Sequence, residues 1–178
     1  MAPADLVFID ETSTHIALTR LRARAPRGTR AVGIAPRNHG PNVTLLAALT
    51  PAGIAAPFVI EGATDRALFE AYIAHCLVPV LRRGQVVILD NLSAHKGDRV
   101  RALIEAAGCR TLFLPAYSPD FNPIELAFSQ LKAGLRRLAA RTFDRLVAAI
   151  GAALAAITPA AARGFFAHCG FPLSDHLF

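Results

Sequence analysis

Two apolar runs on either side of an amphipathic helical pattern place the strongest constraint on how this chain can fold. Residues 85–89 are continuously aliphatic after Gln85, as expected of a strand buried on both faces, and residues 110–114 predict another strand. Residues 98–107 between them have helical periodicity that ends at Gly108. A strand–helix–strand unit requires two parallel strands in one sheet, with the helix packed on one face. The sequence therefore predicts a parallel pair with a crossover helix.

Other apolar patterns extend this unit on both sides. Further strands are predicted at residues 6–9, 42–49 and 54–60, which would form an antiparallel meander, and residues 15–19 could pair with the first strand through a turn at 11–14. Helical periods cover residues 65–81, 124–138, 142–157 and 159–166. Antiparallel strands followed by strand–helix units predict a single mixed α/β domain over residues 1–178, with a five-stranded mixed sheet flanked by helices.

The charge of the chain favours a polyanionic partner. The formal net charge is +6 and the calculated pI is about 10.0. Five arginines are concentrated in the glycine- and proline-containing segment 21–40: Arg22, Arg24, Arg27, Arg30 and Arg37. Arginine is suited to contact a phosphate backbone, because its guanidinium group offers several donors in one plane. The segment could contain one strand at residues 31–34. The alternatives to a phosphate-binding role are a basic surface that serves solubility and a solvated hairpin.

Cysteine content and hydropathy bear on the cellular compartment. Three widely spaced cysteines without a C-x-x-C pair argue against a disulfide framework and against a zinc knuckle. The N-terminus lacks the basic and long apolar regions of a signal peptide. The longest uncharged stretch, residues 146–162, is too short and too interrupted to span a bilayer. We therefore expect a cytoplasmic protein.

Three acids end or begin predicted elements. Asp10 ends the first strand, Asp90 ends the aliphatic run, and Glu125 lies at the start of a helix, with residues 91–124 separating the last two. Functional side chains collect beyond the carboxyl ends of strands in such sheets. Three carboxylates are typical ligands of divalent metal in phosphodiester chemistry, with Asp10 as the bridging ligand. The alternatives are turn caps at Asp10 and Asp90, and a near capping box formed by Asn122 and Glu125.

Polar residues after Asp90 are secondary candidates. His95 could position a metal ligand or contact a phosphate, and Lys96 could bind phosphate. Each could instead be a loop residue with no functional contact.

The residues around the three acids carry a family resemblance. Residues 8–12, 88–96 and 114–125 resemble the three motifs of DDE transposases, and the closest group is the bacterial insertion-sequence transposases related to mariner elements. The third motif is long and rather specific, and the resemblance extends over roughly residues 6–170. Phe128 stands where relatives often carry tryptophan, which is a small change in packing.

This resemblance implies an RNase H-like fold and a catalytic, metal-binding triad of Asp10, Asp90 and Glu125 that uses Mg²⁺ or Mn²⁺, with two ions expected. It implies nicking at transposon ends followed by attack of the freed 3′-hydroxyl on target DNA. A homodimer is expected on DNA, since two ends must be joined. The candidate DNA-binding residues are the five arginines with His95, Lys96 and Lys132, and the supporting residues are Asn91 and Asn122.

Members of this family carry an N-terminal helix-turn-helix region, for which no sequence precedes Asp10 here. We therefore expect that region to be absent, or to be supplied by a separate polypeptide encoded upstream. Two other functions remain open: a non-catalytic DNA-binding remnant of a truncated element, and an RNase H-like nuclease that acts on RNA–DNA hybrids. The third motif argues against the hybrid nuclease.

Overall fold

A five-stranded mixed sheet in the order β3-β2-β1-β4-β5 forms the centre of the fold. The structure is a computed structural model that describes residues 2–91, 97–115 and 118–173. The strands are β1 Leu6–Thr14, β2 Val43–Thr50, β3 Gly53–Glu61, β4 Val86–Leu89 and β5 Arg110–Phe113. β1, β2 and β3 are antiparallel neighbours, whereas β4 is parallel to both β1 and β5. The predicted mixed sheet and its parallel pair are therefore confirmed.

Helices cover both faces of this sheet. The helices are α1 Arg66–Tyr72, α2 Asp98–Ala106, α3 Pro123–Leu138, α4 Phe143–Ala155 and α5 Pro159–His168. Alternate residues of the strands point to opposite faces. Phe8 and Ile88 pack in a core with α3, α4 and α5, whereas Val7 and Val87 pack in a second core with α1 and α2. Burial on both faces explains why the central strands are continuously aliphatic.

The helix predicted over residues 65–81 is interrupted. α1 begins after Asp65, whose carboxylate accepts the Leu68 N–H. A π-helical turn follows at Ile73–Leu77, and a 3₁₀ turn at Val78–Val80. Pro79 has no N–H to donate and cannot continue a regular helix, which accounts for the tighter last turn.

Two expectations in the N-terminal third are wrong. Residues 11–14 do not form a turn, because β1 continues through Thr14 and pairs with β2 as far as the Thr14–Val43 pair. Residues 15–42, all of them described, contain neither a helix nor a strand. The strand expected at residues 31–34 is absent, since Val32 and Ile34 are 89% and 95% exposed and face no other strand. The basic segment is therefore an irregular, exposed excursion between β1 and β2.

None of the described helices is by itself long and apolar enough to cross a membrane. α4 and α5 together have the length and apolar composition that a membrane span requires, but the two helices are bent by 76° relative to each other at the break between them.

Candidate active site

Asp10 lies inside β1 and not at its end. Its antiparallel partner in β2 is Ala47, whose small side chain crowds the carboxylate little. On the other side, the parallel pairing of β1 with β4 extends only to the Ile9–Leu89 pair. Asp10 therefore sits where β4 stops, at the carboxyl end of the parallel part of the sheet, although β1 itself continues.

The carboxylate of Asp10 is buried and accepts a hydrogen bond at each of its oxygens. Only 7% of the residue is exposed. Its Oδ1 accepts the backbone N–H of Glu11 at 2.7 Å, and its Oδ2 accepts the side-chain Nδ2–H of Asn122 at 2.9 Å. Both oxygens of the carboxylate therefore accept a hydrogen bond, which fixes its direction.

Asp90 follows the last residue of β4 and lies next to Asp10. Neighbouring strands are about 4.8 Å apart, and the register that pairs Ile9 with Leu89 brings Asp10 and Asp90 to the same level. Side chains alternate along each strand, so Asp90 continues the face of Ile88 and Asp10 the face of Phe8. By this alternation both acids are directed to the face covered by α3 and α5.

Glu125 lies in the first turn of α3, on the same side of the sheet. A 3₁₀ turn at Pro119–Phe121 leads to Asn122, and Pro123 occupies the first helical position. Pro123 suits that position because its fixed φ fits the helix and no N–H is needed there. The capping-box interpretation is wrong, since the Asn122 side chain makes no bond to the start of α3 and donates to Asp10 instead. Glu125 is exposed.

A small cavity adjoins Glu125. It has a volume of about 280 Å³ and is lined by Asp120, Asn122 and Glu125 together with His168 and Cys169 from the end of α5. Burial, with a smaller effect of the Asp120 carboxylate, raises the pKa of the Cys169 thiol. Asn122 therefore touches Asp10 on one side and lines the Glu125 cavity on the other.

The donor chemistry of these acids fits a hard divalent cation. Asp10, Asp90 and Glu125 offer only carboxylate oxygens, which are the ligands that Mg²⁺ and Mn²⁺ favour. Among the described residues, however, no three His, Cys, Asp or Glu side chains are close enough together to hold a metal ion. The structure brings Asp10, Asp90 and Asn122 to one place and sets Glu125 one helical turn away from Asn122.

Of the predicted site residues not yet placed, Asn91 and Lys132 lie in the described part of the chain. Asn91 is exposed and lines a shallow cavity with Asp98 and Arg101. His95 and Lys96 lie outside the described residues. Lys132 is half-buried in the middle of α3.

The predicted arginines are exposed, and two of the basic regions of the sequence meet in space. Arg22, Arg24, Arg27, Arg30 and Arg37 all face solvent. A groove of about 620 Å³ lies between residues 19–23, residues 31–35 and the end of α3. Its arginines are Arg20, Arg22, Arg136, Arg137 and Arg141. The other four predicted arginines do not line this groove.

Arg141, which follows α3, makes hydrogen bonds to the chain just before the basic segment of residues 21–40. Its guanidinium donates to the carbonyl oxygens of Ile16 at 2.8 Å and of Leu18 at 3.0 Å. Sequence reasoning did not assign Arg20 or the end of α3 to this surface. The sequence does show a pair of arginines, Arg136 and Arg137, at the end of a predicted helix, which could have marked a phosphate-binding surface. No local pattern indicated which other segment that helix end would meet.

Comparison with known proteins identifies the family. The profile described as DDE superfamily endonuclease matches residues 5–147. No curated protein matches the sequence. The structure is similar to a pre-cleavage Mos1 transpososome, with a TM-score of 0.73 and 17% identity over 94% of this chain and 53% of that one.

Two further solved structures agree with this. The Mos1 mariner paired-end complex with Mn has a TM-score of 0.72 and 18% identity, over 94% of this chain and 53% of that one. The catalytic domain of Mos1 mariner transposase has a TM-score of 0.68 and 15% identity, over 94% of this chain and 78% of that one. This chain spans about half the length of the chains in the two complexes. The RNase H-like fold implied by the sequence motifs is confirmed, and the chain belongs to the DDE superfamily endonuclease family.

Proposed function

We propose that this chain is the catalytic domain of a transposase, which cuts DNA at the ends of a mobile element and joins them to target DNA. The observation that carries the proposal is the meeting of the first and third motifs at Asp10 and Asn122, with Asp90 on the adjacent strand. A family profile over residues 5–147 and the similarity to Mos1 transposase complexes support it.

The three acids would hold divalent metal, Mg²⁺ or Mn²⁺. Such ions activate the attacking oxygen and stabilise the leaving oxygen of a phosphodiester. Asp10 is fixed by hydrogen bonds and would supply the most rigid ligand, and Asp90 would bind from the neighbouring strand. Glu125 is exposed at the start of α3 and would complete the set from the helical side. In the first step a water oxygen attacks phosphorus and the bond from phosphorus to the 3′-oxygen breaks, which leaves a 3′-hydroxyl and a 5′-phosphate. In the second step this hydroxyl attacks a phosphorus of target DNA and displaces the 3′-oxygen of the adjoining target nucleotide.

The arginine groove would bind the DNA backbone away from the cut. Glu125 and Arg137 are 12 residues apart in α3, which is about 18 Å along a helix. DNA rises about 3.4 Å per base pair, so this distance corresponds to about five base pairs. α3 would therefore carry a reacting acid at one end and phosphate contacts at the other. A homodimer on DNA, and a helix-turn-helix region supplied by further sequence or by another polypeptide, belong to the same proposal.

Nicking of supercoiled plasmid in Mn²⁺ or Mg²⁺ tests the function. We expect the intact chain to nick, and Asp90→Asn and Glu125→Gln to reduce the rate at least a hundredfold. Asp144→Asn is the matched control, because Asp144 is also an exposed acid in the first turn of a helix. Equal rates for all four proteins would refute the assignment of the acids. An intact chain that binds DNA but cuts neither plasmid nor an RNA–DNA hybrid, even with a helix-turn-helix partner added, would refute the function.

A further inference from the structure

Asn122 occupies an unusual position for a residue that precedes a helix. α1, α4 and α5 each begin after a residue whose side chain accepts a backbone N–H of the first turn: Asp65, Thr142 and Thr158. Asn122 precedes α3 in the same way, and asparagine is among the best residues at that position. Its side chain nevertheless makes no such bond. The amide is used elsewhere.

The amide is directed to Asp10, 112 residues earlier in the chain. Asn122 is 4% exposed and Asp10 is 7% exposed, so the bond from Nδ2 to Oδ2 is shielded from water. The orientation of the amide follows from this contact, because the reverse orientation would set its oxygen against a carboxylate oxygen, and neither of the two could donate.

The other end of the amide is also informative. Asn122 Oδ1 is buried and has no hydrogen-bond partner among the described residues. A buried carbonyl oxygen without a partner is unfavourable, and an apolar side chain of similar size would avoid that cost. The residue is therefore better explained by the bond it donates to Asp10 than by packing. Its place in the wall of the Glu125 cavity puts this side chain, with its unpartnered Oδ1, between Asp10 and Glu125.

We propose that Asn122 is a positioning residue that holds the Asp10 carboxylate in the direction needed to bind divalent metal. The inference rests on the proposed function. A neutral amide donor fixes the direction of the carboxylate and leaves its negative charge in place, whereas an arginine or lysine at this position would neutralise that charge. Hydrogen-bonding partners of metal ligands commonly contribute about ten- to a hundredfold in metal affinity or activity. Asn122 fits that role for Asp10.

The test is a calorimetric titration of the full chain with Mn²⁺ in the absence of DNA, which measures the affinity for the metal. We expect Asn122→Ala to bind Mn²⁺ about tenfold more weakly than the intact chain, and Asp10→Asn to lose that binding. Asn122→Ser serves as a second variant, because serine is also favoured before a helix but its hydroxyl is too short to reach Asp10. Thr14→Val is the matched control, since Thr14 lies in the same strand, is buried, and has an unpartnered Oγ1.

Nicking at increasing Mn²⁺ concentration separates positioning from folding. We expect the Asn122 variants to need about tenfold more Mn²⁺ for half-maximal rate and to approach the intact rate at saturation. A variant that is merely less stable would lose rate at every Mn²⁺ concentration and would show a lowered Tm.

The outcomes are distinguishable. If the Asn122 variants bind Mn²⁺ like the intact chain while Asp10→Asn does not, the positioning role is wrong and the proposed function stands. If the intact chain neither binds Mn²⁺ nor nicks DNA, even with a helix-turn-helix partner added, the proposed function fails and the positioning role fails with it.

Discussion

Replacement of Phe166 by alanine tests whether α5 belongs to the core beneath the site. Phe166 is fully buried, and its ring packs edge-on against Phe8 with the ring centres 5.3 Å apart. Phe8 lies two residues before Asp10 on the same face of β1, so α5 supports the strand that carries the acid. The profile of the family ends at residue 147, before this helix. A large loss of stability would show that the folded unit extends beyond that match.

The magnitude follows from the burial. Truncation of a buried phenylalanine to alanine costs about 3–5 kcal/mol, which includes the cavity left behind. In a domain of this size each kcal/mol lowers Tm by about 2–4 °C, so Phe166→Ala should lower it by about 6–20 °C. Phe165→Ala is the matched control, because Phe165 is the adjacent residue of the same type but is only half-buried. We expect it to cost less than half as much.

Urea and thermal unfolding followed by circular dichroism provide the assay. The free energy of unfolding of Phe166→Ala and Phe165→Ala is compared with that of the intact chain at one temperature. Equal losses in the two variants, or a loss below about 1 kcal/mol in Phe166→Ala, would refute the packing of α5 against β1.

Three further predictions concern charge, pH and thiol reactivity. In Arg22→Ala/Arg137→Ala, which removes two arginines of the groove, we expect the slope of log affinity for DNA against log salt to fall by about 1.8, since each phosphate contact contributes about 0.9. An unchanged slope would exclude these two contacts. Burial, and then the neighbouring imidazole, lowers the pKa of His15. The unfolded chain should therefore take up the proton first as pH falls through 6.5, so the stability contributed by neutral His15 is complete above that pH and declines below it. His15→Gln should reduce the loss of Tm between pH 7.5 and 5.5, and an unchanged loss would contradict this reasoning. Half-buried Cys76 should be alkylated at pH 8 before the buried Cys109 and Cys169, because burial raises the pKa of both buried thiols. Mass spectrometry of timed samples measures the order, and reaction of either buried thiol first would contradict the prediction.

The sequence by itself determined which segments form strands and helices, and which acidic side chains are available to bind metal. Aliphatic strands, helical periods and turn residues are properties of short windows, so the pattern of residues 85–89, 98–107 and 110–114 was sufficient to assign two strands and a helix. The three acids and their motifs could also be found in this way, because each stands at the boundary of such a window. The interruption after Tyr72 was less accessible, since a π-helical turn keeps an approximately helical pattern of apolar residues.

Only the tertiary structure decided how distant segments meet. Asp10 appeared to end its strand, but the pairing of residues 11–14 with β2 extends β1, and that pairing depends on a partner about 30 residues away. Asn122 looked like a helix cap until the packing of α3 on the sheet brought it to Asp10. The arginines of residues 20–22 and 136–141 form one groove for the same reason. Contacts of this kind arise from the packing of the helices on the sheet, which involves the whole chain, and no local pattern specifies them.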